Sequence, residues 1–435
     1  MTGAGPARIE ALNALMLIRG GGTVGEVLAK RTQIGRLSPA DRSLMTQIVY
    51  GVLRNQRYLD AWLAPFVRGE LEPVVRDILR MGLFQLGFLD RVPPYAIVDA
   101  AVEQTKNVSP RATGMVNAIL RRAPNKRPQN LPLAVEFSHP DWLVERWQKR
   151  FGSDTTRRIL VINNEIPPLT LRVNLLKTPR QAVLEELRCE GTHAEGSEYI
   201  PEAIRVSGSF WLEDWSAFHM GLITVQDESS MLATWILDPH GGENIIDLTA
   251  GLGGKTGHIL ERTKGQARVT ALDVSSVRLN LLKQNMDRLG FAGYLTLKEA
   301  DARIWAREHP HEFDRVLLDA PCSNLGVLRR RSDARWKKQE ENLKEHQKLQ
   351  QELLEAALIL ARPGGIIVYS TCSTEPEETI GVVERILTLH GNAHVEKASS
   401  YLPSAAFDDF IVDDNILLLP GDLGMDGFFI SRLRT

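Results

Sequence analysis

At 435 residues, 43% hydrophobic and 24% charged, the chain has material for two or three globular domains with real cores. No apolar run reaches the roughly 18 to 20 residues of a membrane span, and the N-terminus lacks a signal peptide's apolar centre, so a cytoplasmic protein without a membrane partner is expected. The net charge of −2 hides an asymmetry: residues 1 to 130 carry about +8 and the remainder about −10, the footprint of a leader that touches a polyanion.

The leader reads as helix after helix. Ile9, Leu12, Leu15, Met16 and Ile18 recur at helical spacing, Gly20-Gly21-Gly22 interrupts them, and Val24, Val27 and Leu28 resume the pattern. Ser38-Pro39-Ala40-Asp41 combines a serine cap, a proline at the first helical position and an acid in the first turn. A single apolar stripe then runs from Asp41 to Phe66, and further helices are expected over 73 to 89, 95 to 106 and 110 to 122. With no strand signal, residues 1 to 130 form an all-α domain that ends in the Pro/Lys/Arg/Asn-rich stretch Ala123 to Pro132.

Residues 133 to 240 mix signals: strands at 169 to 174 and 203 to 206, a helix at 180 to 188, and a helix cap in Val225 to Ser230. A small α+β module results, in which Arg172 and Lys177 are either phosphate contacts or ordinary surface charges.

From residue 241 to 435 strands and helices alternate, which argues for a parallel sheet covered on both faces. Strands are expected at 245 to 248, 268 to 273, 294 to 299, 314 to 319 and 365 to 370, and a final pair at 411 to 419 and 427 to 434 adds an antiparallel edge. Thr249-Ala250-Gly251-Leu252-Gly253-Gly254-Lys255 joins the first strand to a helix, a ligand-holding turn where glycines admit close backbone approach. Asp273, twenty residues after Gly253, stands where a ribose-binding carboxylate belongs, which suits both NAD and S-adenosylmethionine. Asp247, Asp273, Asp301, Asp319 and Cys372 fall at strand ends and so face one crevice. The three cysteines, Cys189, Cys322 and Cys372, lack the pattern of a disulfide framework or a metal site, and no metal is expected. Two of them stand in Asp319-Ala320-Pro321-Cys322-Ser323 and Thr371-Cys372-Ser373, at neighbouring strand ends, where a stabilised thiolate makes a nucleophile.

This set, with Gly326-Val327-Leu328-Arg329-Arg330 and Gly424-Met425-Asp426-Gly427-Phe428-Phe429, resembles the S-adenosylmethionine-dependent RNA cytosine-C5 methyltransferases of the Nol1/Nop2/Sun family over about Leu169 to Thr435. The all-α leader is similar to a NusB-type RNA-binding domain. The resemblance implies a Rossmann-like domain that methylates C5 of a cytosine in small-subunit (16S) ribosomal RNA, acting as a monomer before subunit assembly is complete. It makes Cys372 the nucleophile on C6, Cys322 the residue of product release, Asp319 the partner of N3 and Lys255 its support. Thr249 to Lys255, Asp273, Asp301 and Asp319 are implied to hold the cofactor. The basic stretch Arg329, Arg330, Arg331, Arg335, Lys337 and Lys338, with Trp336, suits phosphate contact and stacking. The same chemistry on transfer RNA or another ribosomal site, and a nicotinamide-dependent oxidoreductase, are the alternatives. The family loop usually reads Cys-Ala-Ala-Pro-Gly-Gly-Lys; Leu252 replaces its proline here, which implies a looser loop.

Overall fold

The helix start at Ser38 behaves as its chemistry requires: Ser38 Oγ accepts from the Asp41 backbone N–H at 3.2 Å and the helix begins at Pro39. The computed structural model describes residues 5–34, 37–208, 212, 215–391 and 393–435. It divides into two compact units, one of Met1–Ile166 with Leu328–Lys338, the other of Pro167–Val327 with Gln339–Thr435.

In the first unit, α1 (Pro6–Arg19), α2 (Val24–Ile34), α3 (Pro39–Arg54), α4 (Gln56–Leu63), α5 (Pro73–Phe88), α6 (Pro94–Val108) and α7 (Thr113–Arg122) enclose one apolar core containing Leu12, Ile48, Trp62, Ile78 and Leu120. The expected single stripe from Asp41 to Phe66 is two helices. Asn55, at φ −111° and ψ 17°, leaves helical geometry between them, and both its backbone N–H and its side chain donate to the Gly51 carbonyl. Gly51 is required where α3 meets α5, since a Cβ there would fall 1.9 Å from the Phe84 ring.

α8 (Leu133–Glu136) and α9 (Asp141–Asn164) also belong to this unit, so the division falls at 166/167 instead of the expected 130 to 133. The basic stretch belongs here too, and burial corrects the expected phosphate contact at Arg329 and Arg335. Arg335 is 1% exposed and donates to Arg54 O, Ser138 O, Asn164 Oδ1 and Asn163 O, while Trp336 packs on the core and its Nε1 donates to Leu53 O at 2.8 Å. Arg329 is buried, its carbonyl accepting from Arg54, and Lys337 donates to Gly22 O and Asp333. Arg331 is exposed, and Arg330 and Lys338 are half-buried.

The second unit begins with a four-stranded antiparallel sheet of order β2-β3-β1-β4, from β1 (Leu169–Val173), β2 (His193–Gly196), β3 (Ala203–Ser207) and β4 (Ile223–Val225), with α10 (Arg180–Cys189) and α11 (Ser216–His219) between strands. β2 is too polar and β4, of three residues, too short to carry a period-2 signal, so only β1 and β3 were legible. Arg172 on β1 is wholly buried, paired through two bonds to Glu261 and donating to Gly254 O at 2.7 Å and to Gln226. Lys177 donates to the carbonyls of Met220 and Arg288. Arg172 therefore serves the fold, which corrects its reading as a phosphate contact, whereas Lys177 is exposed.

α12 (Glu228–Leu237), capped by Asp227 as expected, leads into the large sheet. Its parallel strands are β5 (Asn244–Asp247), β6 (Arg268–Asp273), β7 (Leu295–Glu299), β8 (Phe313–Asp319) and β9 (Ala361–Thr371), in the order β9-β8-β5-β6-β7. Helices α13 (Gly254–Arg262), α14 (Ser276–Leu289), α15 (Ala302–Glu308), α16 (Ala334–Lys337, in the first unit), α17 (Glu340–Leu360) and α18 (Ile380–Leu389) fill the connections. β10 (His394–Glu396), β11 (Ile411–Val412), β12 (Asn415–Leu418) and β13 (Phe428–Arg434) extend the sheet, β13 lying antiparallel to β9 as the edge expectation had it. Apolar clusters cover both faces: Leu260, Leu282 and Met231 on one, Leu354, Ala357 and Val383 on the other.

Replacing Arg335 with Ala strips four buried oxygens of a donor and should lower the unfolding free energy by about 3 kcal/mol or more in denaturant titration. Arg335→Lys should rescue little of it, because one ammonium cannot reproduce the planar fork. Unchanged stability in both variants would return Arg335 to the phosphate-contact role.

Candidate active site

The crevice opens where β5, β6, β8 and β9 end together. After β5 the chain turns through Thr249 to Gly254 before α13 begins. Ala250 N donates to Leu272 O at 3.0 Å, Gly251 N to Asp273 Oδ2 at 3.0 Å, and Gly253 N to Ala250 O at 2.9 Å. Leu252 O accepts from Asn285 Nδ2 at 3.0 Å, so the loop is pinned on both sides of the residue that replaces proline. Gly253 sits at φ +83°, and a Cβ there would meet Leu282 at 2.7 Å, which makes glycine obligatory. In front of Gly254 a Cβ would meet nothing within 4 Å, and Leu252 is 54% exposed, so the loop backbone fronts open space. Behind it, the Arg172 bond to Gly254 O props the first turn of α13.

Asp273, at the end of β6, is 6% exposed, and each of its oxygens accepts one backbone N–H, from Gly251 and from Ser275 at 2.9 Å. A carboxylate oxygen has room for a second bond, which a ribose hydroxyl can supply. Val274 beside it is 67% exposed, an apolar face at the crevice mouth that no sequence pattern had singled out. Asp247, buried under the loop, accepts from Thr256 Oγ1 at 2.7 Å with Oδ2 while Oδ1 has no partner; burial pushes its carboxyl up to about 6. The open glycine backbone, the half-satisfied ribose acid and the orphaned buried oxygen together fit an adenosyl cofactor. Asp301 stands beyond β7 as expected, but Arg303 engages both of its oxygens, at 2.9 and 2.6 Å, and its first role is the cap of α15.

The reactive groups gather at the ends of β8 and β9. Asp319 Oδ2 accepts from Lys255 Nζ at 2.6 Å and Oδ1 from Ser370 Oγ at 2.9 Å, while Thr249 Oγ1 donates to the Asp319 carbonyl. Cys322 and Cys372 bring their sulfurs to 3.1 Å, and Cys372 Sγ donates to Asn324 Oδ1 at 3.3 Å. The sulfur contact, burial and the charge of Asp319 push the Cys372 thiol well above the ordinary range, with Lys255 opposing. Cys372 is thereby pushed toward the thiol: Lys255, which the sequence offered as a stabiliser of its thiolate, pairs with Asp319, and no backbone N–H faces Cys372 Sγ among the described bonds. Sequence reading missed Ser370 and Asn324; the one available signal was Asn324, a residue type that tolerates the φ of +64° it adopts. Gly326 and Gly427 fix the floor of the site, where Gly427 N donates to Gly326 O at 2.8 Å and a Cβ on Gly326 would lie 2.3 Å from Gly427 O. Among the described residues no cluster of His, Cys, Asp or Glu suits a metal ion.

A parallel sheet with a glycine loop, a buried acid on the next strand and an open crevice before two thiols fits the class that the family model gives: an S-adenosylmethionine-dependent methyltransferase with a Rossmann-like fold. The family model described as 16S rRNA methyltransferase RsmB/F matches residues 234–434, the NusB family matches 6–125, and the ferredoxin-like domain of RsmF/B-like methyltransferases matches 139–211. The chain is 32% identical to the probable ribosomal RNA small subunit methyltransferase B of Bacillus subtilis over 98% of its length and 97% of that protein. It is 33% identical to ribosomal RNA small subunit methyltransferase B of Pectobacterium carotovorum over 94% and 96%. The solved structure of PH0851 superposes with a TM-score of 0.86 at 27% identity, covering 99% of each chain. The chain belongs to the RsmB/F family of methyltransferases. Membership removes the nicotinamide alternative and accounts for the all-α leader as a NusB-type domain.

Two measurements probe this geometry. Asp273→Ala should weaken S-adenosylmethionine binding by about 1 to 3 kcal/mol in calorimetry, and tight NAD binding by the parent protein would contradict the site. The alkylation rate of Cys372 by iodoacetamide, followed by peptide mass spectrometry, should titrate above the ordinary thiol value of about 8.5. Asp319→Asn removes a charge that raises it and should move the midpoint down, whereas Lys255→Met should move it up; a parental midpoint below the ordinary value would refute the thiol assignment.

Proposed function

We infer that this protein methylates C5 of a cytosine in 16S ribosomal RNA of the small subunit through a covalent bond between Cys372 and C6. The observation that carries the reading is the pair of thiols at 3.1 Å beside the Lys255–Asp319 pair. The names of the relatives, ribosomal RNA small subunit methyltransferase B, support the substrate class.

Cytosine C5 is a weak nucleophile, so the ring must first gain electrons. Cys372 gives up its proton, which replaces the one that Lys255 passes to N3, and the sulfur adds to C6. The electron pair of the C5=C6 bond moves toward C5 and N3. Both Asp319 oxygens accept hydrogen bonds here, so the proton offered to N3 through Asp319 comes from the ammonium of Lys255 in contact with it. S-adenosylmethionine, held by the glycine loop, Asp273 and the Asp247 side of the crevice, supplies an electrophilic methyl on a positively charged sulfur. Cys322, as its thiolate, then takes up the C5 proton; the C5–H pair restores the C5=C6 bond, the S–C6 pair leaves with Cys372, and the proton on N3 returns to that sulfur. Until substrate enters, the bond from Cys372 to Asn324 keeps the thiol protonated and unreactive. Because thiol and methyl donor must both reach the ring, the target base is single-stranded or extruded from its helix, a condition met more easily in RNA not yet locked into a subunit. The protein acts as a monomer in this reading.

The two thiols act at different times, so their loss has different consequences. Cys372→Ala should abolish methyl transfer, reducing it by at least 10³-fold, on the order expected for loss of a nucleophile, and yield no covalent RNA adduct while retaining cofactor affinity. Cys322→Ala should accumulate a protein–RNA complex that survives denaturing electrophoresis and depends on S-adenosylmethionine. Normal turnover of the Cys322 variant without trapping, or trapping by the Cys372 variant, would reverse the roles. Bisulfite sequencing of 16S ribosomal RNA from a deletion strain reads the substrate directly.

A further inference from the structure

Each catalytic cysteine is followed by a serine, and the two serines do the same thing. Ser323 Oγ accepts from the backbone N–H of Leu325 at 3.4 Å, and Ser373 Oγ accepts from that of Glu375 at 3.2 Å, so each closes a turn over its cysteine. Each hydroxyl hydrogen then points to the same atom, Glu378 Oε2, at 2.5 Å from both. The other oxygen, Oε1, accepts from the Ser323 backbone N–H at 2.7 Å and from Gln350 Nε2 at 3.3 Å. Gln350, on α17, also donates to the carbonyl of Pro321, the residue before Cys322.

Glu378 lies in a short helical turn, Pro376–Glu378, after β9 and is wholly buried. Among the described residues no Lys or Arg is paired with it; a buried carboxylate without a cation is costly and persists only where donors surround it. It is also the wrong group for an inert spacer. Each serine oxygen is already an acceptor, so each must spend its one hydrogen on a further acceptor, and two such hydrogens converge on one atom. A glutamine could present one oxygen, but its amide nitrogen would face donors. The mechanism above uses none of these atoms, although they bind the two cysteine loops to one another.

We propose that Glu378 is the positioning residue that sets the separation and aim of the Cys322 and Cys372 thiols, clamping their loops into one block through Ser323 and Ser373. This rests on the reading of the two thiols as the reacting pair, but the clamp itself is testable without RNA. Attack by Cys372 on C6 and proton uptake by Cys322 from the neighbouring C5 need sulfurs kept near their 3.1 Å separation while a base enters and leaves. A carboxylate shared by both loops resists their drifting apart more than two independent turns would.

The test uses the full-length protein and diamide as the probe. Diamide joins Cys322 to Cys372 as a disulfide, its N=N bond taking up the two electrons and two protons that the thiols lose, and the rate, read by peptide mass spectrometry, reports how often the sulfurs meet. Glu378→Gln should slow this reaction at least tenfold at a temperature well below its own unfolding midpoint, with S-adenosylmethionine affinity within twofold of the parent. Methyl transfer should lose kcat in parallel while KM for S-adenosylmethionine holds. Ser323→Ala and Ser373→Ala should each slow oxidation severalfold. A Glu378→Gln protein that oxidises at the parental rate overturns the proposal, however far its melting point has fallen. If that variant does not fold, the serine variants decide: parental rates in both overturn it. Slowed oxidation in a protein whose Cys322→Ala form traps no RNA upholds the clamp and refutes the covalent reading instead.

Discussion

The parallel pairing of β8 with β9 is the constraint on which the site depends. Its register sets Asp319 against Ser370, so the chain leaves both strands at the same level and the two cysteine loops emerge side by side. Ser370 meets Asp319 across that ladder at 2.9 Å, and three residues beyond Asp319 and two beyond Ser370 the sulfurs meet at 3.1 Å. A shift of one residue in either strand would turn Ser370 away from Asp319 and part the thiols, because side chains alternate faces along a strand. β13, antiparallel to β9 on its other side, makes β9 an interior strand and brings Gly427 against Gly326 beneath the site.

Electrostatics within this frame favour restraint at rest. Lys255, the one cation in the cluster, is committed to Asp319 at 2.6 Å and lies 5.4 Å from the Phe428 ring, so little of its charge reaches Cys372. The thiol is held neutral by its sulfur neighbour, by burial and by Asp319. In the proposed reaction a nucleophile that is silent until a base displaces these contacts is an advantage, since a free thiolate is also the form that oxidants attack.

Buried arginines hold much of the remaining architecture, and each donates to backbone carbonyl oxygens. Arg172 joins β1 to α13 beneath the glycine loop, Arg335 draws four oxygens together in the helical unit, and Arg432 on β13 donates to Ile236 O and Leu237 O at the end of α12 while pairing with Glu396. The planar five-donor fork suits such a role, satisfying the last carbonyls of helices that would otherwise be buried unpaired.

The sequence by itself determined the strands that hold the site and the residue types at their ends. Apolar runs within β5, β6, β8 and β9 lead to Asp247, Asp273, Asp319 and Thr371, and such short apolar runs read as interior strands once helices alternate with them. Glycine spacing, the acid twenty residues on and the two cysteine motifs were legible for the same reason: each is a local requirement written in consecutive residues. What only the tertiary structure decided lies in side chains whose partners are far along the chain. A single arginine codon reads alike whether it ends in water or among four carbonyls, so the basic stretch from Arg329 to Lys338 looked like a surface while Arg335 is in a core. Glu378 and Asn324 carried no pattern of their own, and their meaning came from Ser323 and Cys372, about fifty residues away, brought near by the β8–β9 pairing. Charge state followed the same rule: whether Cys372 rests as thiol or thiolate depends on burial and on neighbours at 3 Å, which spacing along a chain does not encode.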